Sequence, residues 1–164
     1  MNASVSLFNP EAFLDATTTE VNERRTPLPT ENPADEQGLY TAIIGEITIA
    51  SGTIGKGDRT GQPWVSMIVP LKLQICPELQ QSLSYDSTFT LTDRAFLDLT
   101  SAGQEDNAPG KSRQKKAYRE ACDLNNPGEA FAWRMLTGKA VKVKVGHEIY
   151  EGNVVERVLG IFKA

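Results

Sequence analysis

The chain has 164 residues, 40% of them hydrophobic and 23% charged, which supports one packed core with a tail and excludes wholesale disorder. No stretch approaches the roughly 18 apolar residues of a membrane span, and the opening Met1–Pro10 lacks the cationic start and apolar run of a secretion signal. Two distant cysteines, Cys76 and Cys122, make no disulfide framework, and one histidine, His147, leaves little room for zinc or histidine-based catalysis; a cytoplasmic protein is expected.

In chain order, residues 1–37 read as an acidic, proline-containing arm. Asn9, Pro10 and Glu11 have the residue types of a helix start, and Phe8, Phe13 and Leu14 would give a short helix one apolar face. Residues 17–37 are polar and contain Pro27, Pro29 and Pro33, so an extended or disordered tether is expected. The folded domain is expected from 38 to 164. A first strand is predicted over 39–50, rich in Ile and Thr, with a bend or bulge at Gly45. Residues 51–62 hold four glycines and read as a hairpin loop. A second strand is predicted over 64–75. Val65, Met67, Val69, Leu71, Leu73 and Ile75 share its inward phase; Trp64, Ser66, Ile68, Lys72 and Gln74 share the outward one. Pro70, which cannot donate to a ladder, marks an edge or a bulge there.

A helical turn is expected over 77–83 and a third strand over 88–92, while 94–100 reads equally as strand or turn. The strongest helix signal covers 112–124, stopped by Asn125-Asn126-Pro127-Gly128. A short helix over 129–136 leads to a strand over 139–150, a turn at 151–153 and a last strand over 154–162. The fold class is mainly β with one principal helix. The order β-β-β-α-β-β is that of an OB fold, a five-stranded Greek-key barrel; the alternative is a small sheet packed by one helix.

The charge is distributed unevenly. The net value of −4 conceals segments of −5 over 1–38, −4 over 39–110, +6 over 111–144 and −1 over 145–164. Such sign asymmetry marks an electrostatic footprint. Single strands need cations for phosphates and flat apolar surfaces for bases. Lys56 and Arg59 in the first loop, Trp64 and Lys72 on the second strand, Lys142 and Lys144 on the fourth, and Tyr150 at the last hairpin meet both needs. The run from Lys111 to Arg119 adds Arg113, Lys115, Lys116 and Arg119, with Trp133 and Arg134 close behind. Each has an ordinary alternative: Trp64 packs against the arm or a partner subunit, and the lysines form a solvated helix face.

Motifs for catalysis fail. Gly52-Thr53-Ile54-Gly55-Lys56-Gly57 departs from a phosphate loop in its glycine spacing and lacks the Ser or Thr after the lysine. Asp93, Asp98, Glu105 and Asp106 are candidates for a nuclease metal site but have no specific spacing. His147 continues an inward strand phase, and neither cysteine has a histidine nearby. No enzyme activity, cofactor or metal is expected.

Several stretches together resemble small OB-fold single-stranded-DNA-binding proteins of tailed-phage replication modules. They are Glu36–Ala42, the glycine-rich loop into Gln62-Pro63-Trp64, Asn125–Phe131 with Leu136–Lys139, and Val143–His147 with the Gly152 turn. The resemblance covers residues 36–164. It implies a non-enzymatic protein in the host cytoplasm that coats single-stranded DNA during phage replication or recombination. Some such proteins end in an acidic tail closed by an aromatic, which recruits partners. This chain ends Gly160-Ile161-Phe162-Lys163-Ala164, so the arm is the expected contact for replication or recombination proteins and a competitor for the basic face. Exposed barrel edges also allow a homodimer. The competing reading is a virion or replisome adaptor whose OB-like domain binds protein.

Overall fold

The computed structural model describes residues 8–164; the first seven residues, part of the segment read above as carrying no secretion signal, lie outside them. The described chain is mainly β: six strands in one antiparallel sheet, with two α-helices. The strands are β1 (Tyr40–Ile44), β2 (Thr48–Thr53), β3 (Pro63–Gln74), β4 (Thr88–Phe96), β5 (Ala140–Tyr150) and β6 (Asn153–Lys163). Helix α1 (Pro77–Leu83) joins β3 to β4, and α2 (Arg113–Ala121) lies between β4 and β5. No helix among the described residues is long and apolar enough to cross a membrane.

The expected first strand is two strands, and the break falls at the expected glycine. A Cβ on Gly45 would lie 2.9 Å from the Pro70 ring, so only glycine allows this approach. Gly45 donates its N–H to the Pro70 carbonyl at 2.8 Å. In an antiparallel ladder a residue's N–H and C=O point to the same side. The donor that Pro70 lacks would therefore face the gap where β1 leaves the ladder. The proline is tolerated inside a central strand because its neighbour is interrupted at that point.

β3 organises the sheet. Its first half pairs with β2 (Ser66 opposite Ala50), its second half with β1 (Leu73 opposite Ala42), and its other edge with β4 (Leu71 opposite Leu91). β1 continues to β5 (Tyr40 opposite Val143), and β5 to β6. β4 and β6 lie against each other with no ladder between them among the described residues, and α2 packs on both. The Gln114 side chain bridges part of the open β4 edge: its amide donates to the Arg94 carbonyl at 3.0 Å, and its oxygen accepts from the Phe96 N–H at 3.1 Å. Those two backbone groups thereby gain the partners a neighbouring strand would have supplied.

The core gathers Tyr40, Ala42 and Ile44 of β1, Val69, Leu71 and Leu73 of β3, and Val141, Val143 and Val145 of β5. From α2 it takes Tyr118 and Ala121. The helix ends earlier than the Asn-Asn-Pro-Gly stop implies. Asp123 turns left-handed (φ 56°), and the Leu124 N–H closes back onto the Arg119 carbonyl at 2.7 Å. The helix expected over 129–136 is a single 3-10 turn, Trp133–Leu136.

The arm divides near residue 25. Asn9 caps the expected short helix, which is a 3-10 turn at Pro10–Leu14. Phe8 and Phe13 touch each other at 5.9 Å but remain exposed, as do the other residues from 9 to 26. From Arg25 onward the acidic segment contributes to the fold, contrary to the expected free tether. Leu28 is fully buried in the core. Its N–H donates to Glu156 at 2.9 Å, and its carbonyl meets His147 Nε2 at 2.6 Å. Arg25 forks onto Glu156, at 2.6 and 3.2 Å, stacks over Phe89 and reaches the Tyr85 hydroxyl. Tyr40 donates to the Pro29 carbonyl, and Asp35 holds Lys142 at 2.8 Å. His147, placed by its strand phase toward the core or rim, is exposed and serves this strap.

Candidate nucleic-acid interface

Strand alternation puts Trp64 on the outer face of β3. The same alternation in β4, read from inward Leu91 and Ala95, puts Arg94 and Phe96 on the outer face beside it. Trp64 and Phe96 meet edge-on, with centroids 5.9 Å apart, and the Arg94 guanidinium lies 5.9 Å from the indole. The indole rests on Gly52 of β2, where a Cβ would come within 2.9 Å of the ring. Glycine at this position lets the ring lie flat against the strand. Trp64 is half-buried, and Phe96 is 51% exposed.

These rings border a cleft of about 620 Å³ between the β2–β3 loop and the segment after β4. Ile54, Leu97 and Leu99 add apolar lining, and Arg59 and Lys111 bring positive charge. Asp98 also lines the cleft, but its carboxylate accepts the Ser112 N–H at 2.6 Å and anchors the start of α2. Lys56 is exposed on the same loop. Arg59 and Trp64, two residues chosen from the sequence, therefore share one cavity. Phe96 and Lys111 also line it, and Arg94 lies near the indole outside that lining; none of the three was selected. The undecided reading of residues 94–100 hid Arg94 and Phe96: extending the expected 88–92 alternation to residue 96 would have placed both beside Trp64.

The helix residues have different fates. Lys115 is tied to Glu105 at 2.8 Å and to Asn107 at 3.2 Å, and its side chain is only 11% exposed. Arg119 donates to the Leu124 carbonyl and stacks over Phe131 at 4.8 Å. Arg113 and Lys116 are exposed. Lys111, Lys115, Lys116 and Arg119 surround a second hollow of about 340 Å³.

Trp133 requires a correction as a stacking residue. It is 9% exposed, wedged between Tyr118 (5.9 Å) and Phe131 (6.2 Å), and the large apolar area of an indole explains its burial. Only a small part of the indole remains exposed, on the wall of a hollow that Ile47, Ile49, Phe131 and Arg134 also line. Arg134 beside it is exposed. Lys142 is committed to Asp35, so the arm already occupies it. Lys72 and Lys144 are exposed on outward phases of β3 and β5, and Tyr150 is 63% exposed at the β5–β6 turn. This second stripe lies along the β1–β5 side of the sheet, away from the Trp64 cleft.

Asp93 points into the protein, where the Tyr118 hydroxyl donates to it at 2.6 Å. Burial pushes its carboxyl above the ordinary range, against the pull of that hydrogen bond. Asp93 and Asp98 thus bind separate structural donors and do not converge. Among the described residues no three acidic, cysteine or histidine side chains come together as metal ligands.

Comparison of the sequence with protein-family models and with curated proteins gives no match in either.

Proposed function

We propose that this protein binds single-stranded nucleic acid, with single-stranded DNA as the ligand, through the outer face of β3 and β4. The observation that carries the reading is the Trp64–Phe96 pair beside Arg94 and Arg59, bordering an open cleft in a chain of net negative charge. Bases stack on the rings, phosphates meet the cations, and sequence preference is weak because every base has a flat face. The topology supports an OB-type reading. With β1 and β2 taken as one bent strand, β3 and β4 become strands two and three, the ligand-bearing pair of that fold, and α2 falls between strands three and four. A role in coating DNA during phage replication or recombination rests on the resemblance in residues 36–164.

The test is anisotropy titration of a labelled oligo-dT at several salt concentrations, with duplex as competitor. Expected are preference for the single strand and a log–log salt slope of about −0.7 per phosphate contacted. Absence of binding at low salt would overturn the reading. It would favour the adaptor alternative, whose supporting observation is the exposed Phe8–Phe13 pair on the acidic arm.

A further inference from the structure

The Trp64 cleft and the hollow beside α2 share a lining residue, Lys111. Their chemistries are complementary. The cleft has two aromatic rings and an apolar lining, suited to bases. The hollow has no aromatic ring and no carboxylate in its lining; its cations are Lys111, Lys115, Lys116 and Arg119. Lys115 and Arg119 are held in place, by Glu105 and by the Leu124 carbonyl respectively, so the hollow is preformed. Lys111 and Lys116 are exposed and carry movable charge. Glu120 lies 3.6 Å from Lys116, but both side chains are more than half exposed, and a surface pair of that kind holds a lysine weakly.

We propose that a bound strand leaves the Trp64–Phe96 cleft past Lys111 and passes its phosphodiester backbone through the hollow beside α2, so that the two cavities form one continuous site. The inference rests on the reading of the cleft as a single-strand site and adds a direction and a second ligand class to it. The cleft takes bases; the hollow takes the backbone phosphates of the nucleotides that follow. Lys72 and Lys144, on the other stripe, lie off this path. A short strand fills the cleft alone, and only a longer one reaches the hollow.

The experiment compares labelled oligo-dT of about 4 and about 16 nucleotides, the limits of single-strand site size for small barrels of this kind. The proteins are wild type, Lys116→Gln, Lys116→Glu and Trp64→Ala. Both Lys116 variants should weaken the long oligonucleotide, make its salt slope shallower by about 0.7, and leave the short one unchanged. Trp64→Ala should weaken both lengths. Long-strand binding that ignores both Lys116 variants overturns the path and leaves the cleft reading intact. Equal weakening of both lengths also overturns it, because that is the behaviour of a diffuse field. If wild type binds neither length, the cleft reading fails and the path fails with it.

Discussion

The two tryptophans make nearly the same aromatic contacts in opposite settings. Trp64 meets Phe96 at 5.9 Å and Trp133 meets Tyr118 at 5.9 Å, each pair inclined by about 60°. Trp133 lies beneath α2, nine-tenths covered. Trp64 lies on a strand's outer face, backed by glycine and flanked by arginine. An aromatic contact therefore does not separate a structural ring from an available one; what covers the remaining surface does. Trp133 stands in a short 3-10 turn where no alternation dictates direction, and area burial decides its fate. Trp64 stands in a regular ladder whose alternation holds it outward whatever its hydrophobicity.

The contrast is sharpest in stability. Trp133→Ala should cost about 3–5 kcal/mol, the range for large-to-small changes of buried aromatics. Chemical denaturation would measure it, and a cost below about 1 kcal/mol would break the comparison. Leu28→Ala should follow, at about 2–5 kcal/mol, because this residue of the acidic segment is fully buried. A truncation ending at residue 24 should leave the unfolding midpoint unchanged, whereas one ending at residue 37 removes Leu28 and should lower it.

For Trp64 the effect belongs to binding. Trp64→Ala should weaken oligo-dT by about 1–3 kcal/mol, the contribution of one stacked base. Tryptophan fluorescence sharpens the point: oligonucleotide should quench wild type and Trp133→Phe, but not Trp64→Phe. Quenching that survives Trp64→Phe would show that the wrong ring has been assigned. Gly52→Ala should have a smaller effect. It displaces the Trp64 ring without removing it, so affinity should fall by less than in Trp64→Ala while the fold persists.

The strap predicts an acid response. Burial alone would push the Glu156 carboxyl up, but hydrogen bonds from Arg25 and the Leu28 N–H, with the Arg25 charge, hold it down at about 2. A carboxyl lowered by folding stabilises the folded chain fully above its ordinary value near 4.3. That contribution fades as pH falls from there toward 2. Thermal midpoints should therefore drop more steeply across this window in wild type than in Glu156→Gln. Parallel curves would remove the strap from the account.

Local patterns revealed much of the fold. Alternation located β3 and β5, the Gly45 break lies inside the predicted first strand, Pro77 opens α1, and the helix signal found α2 within a turn. Part of the proposed interface was also legible, because Trp64 and Arg59 stand out by residue type and phase. Composition misjudged the strap: residues 25–38 resemble the free tether before them, and what separates the two is a buried leucine and polar anchors whose partners, Glu156, His147 and Lys142, lie more than a hundred residues away. The same reason hid the roles of Lys115, Arg119 and Lys142. A cation is recognisable in a sequence, but whether it is free depends on carboxylates and carbonyls brought to it by folding. By itself the sequence determined most of the strands, the main helix and the excess of cations in 111–144, since these follow from backbone periodicity and composition. Only the tertiary structure decided which tryptophan is open, which lysines are neutralised and which aromatics share a cleft. Those outcomes depend on neighbours distant in the chain, whose approach no local pattern encodes.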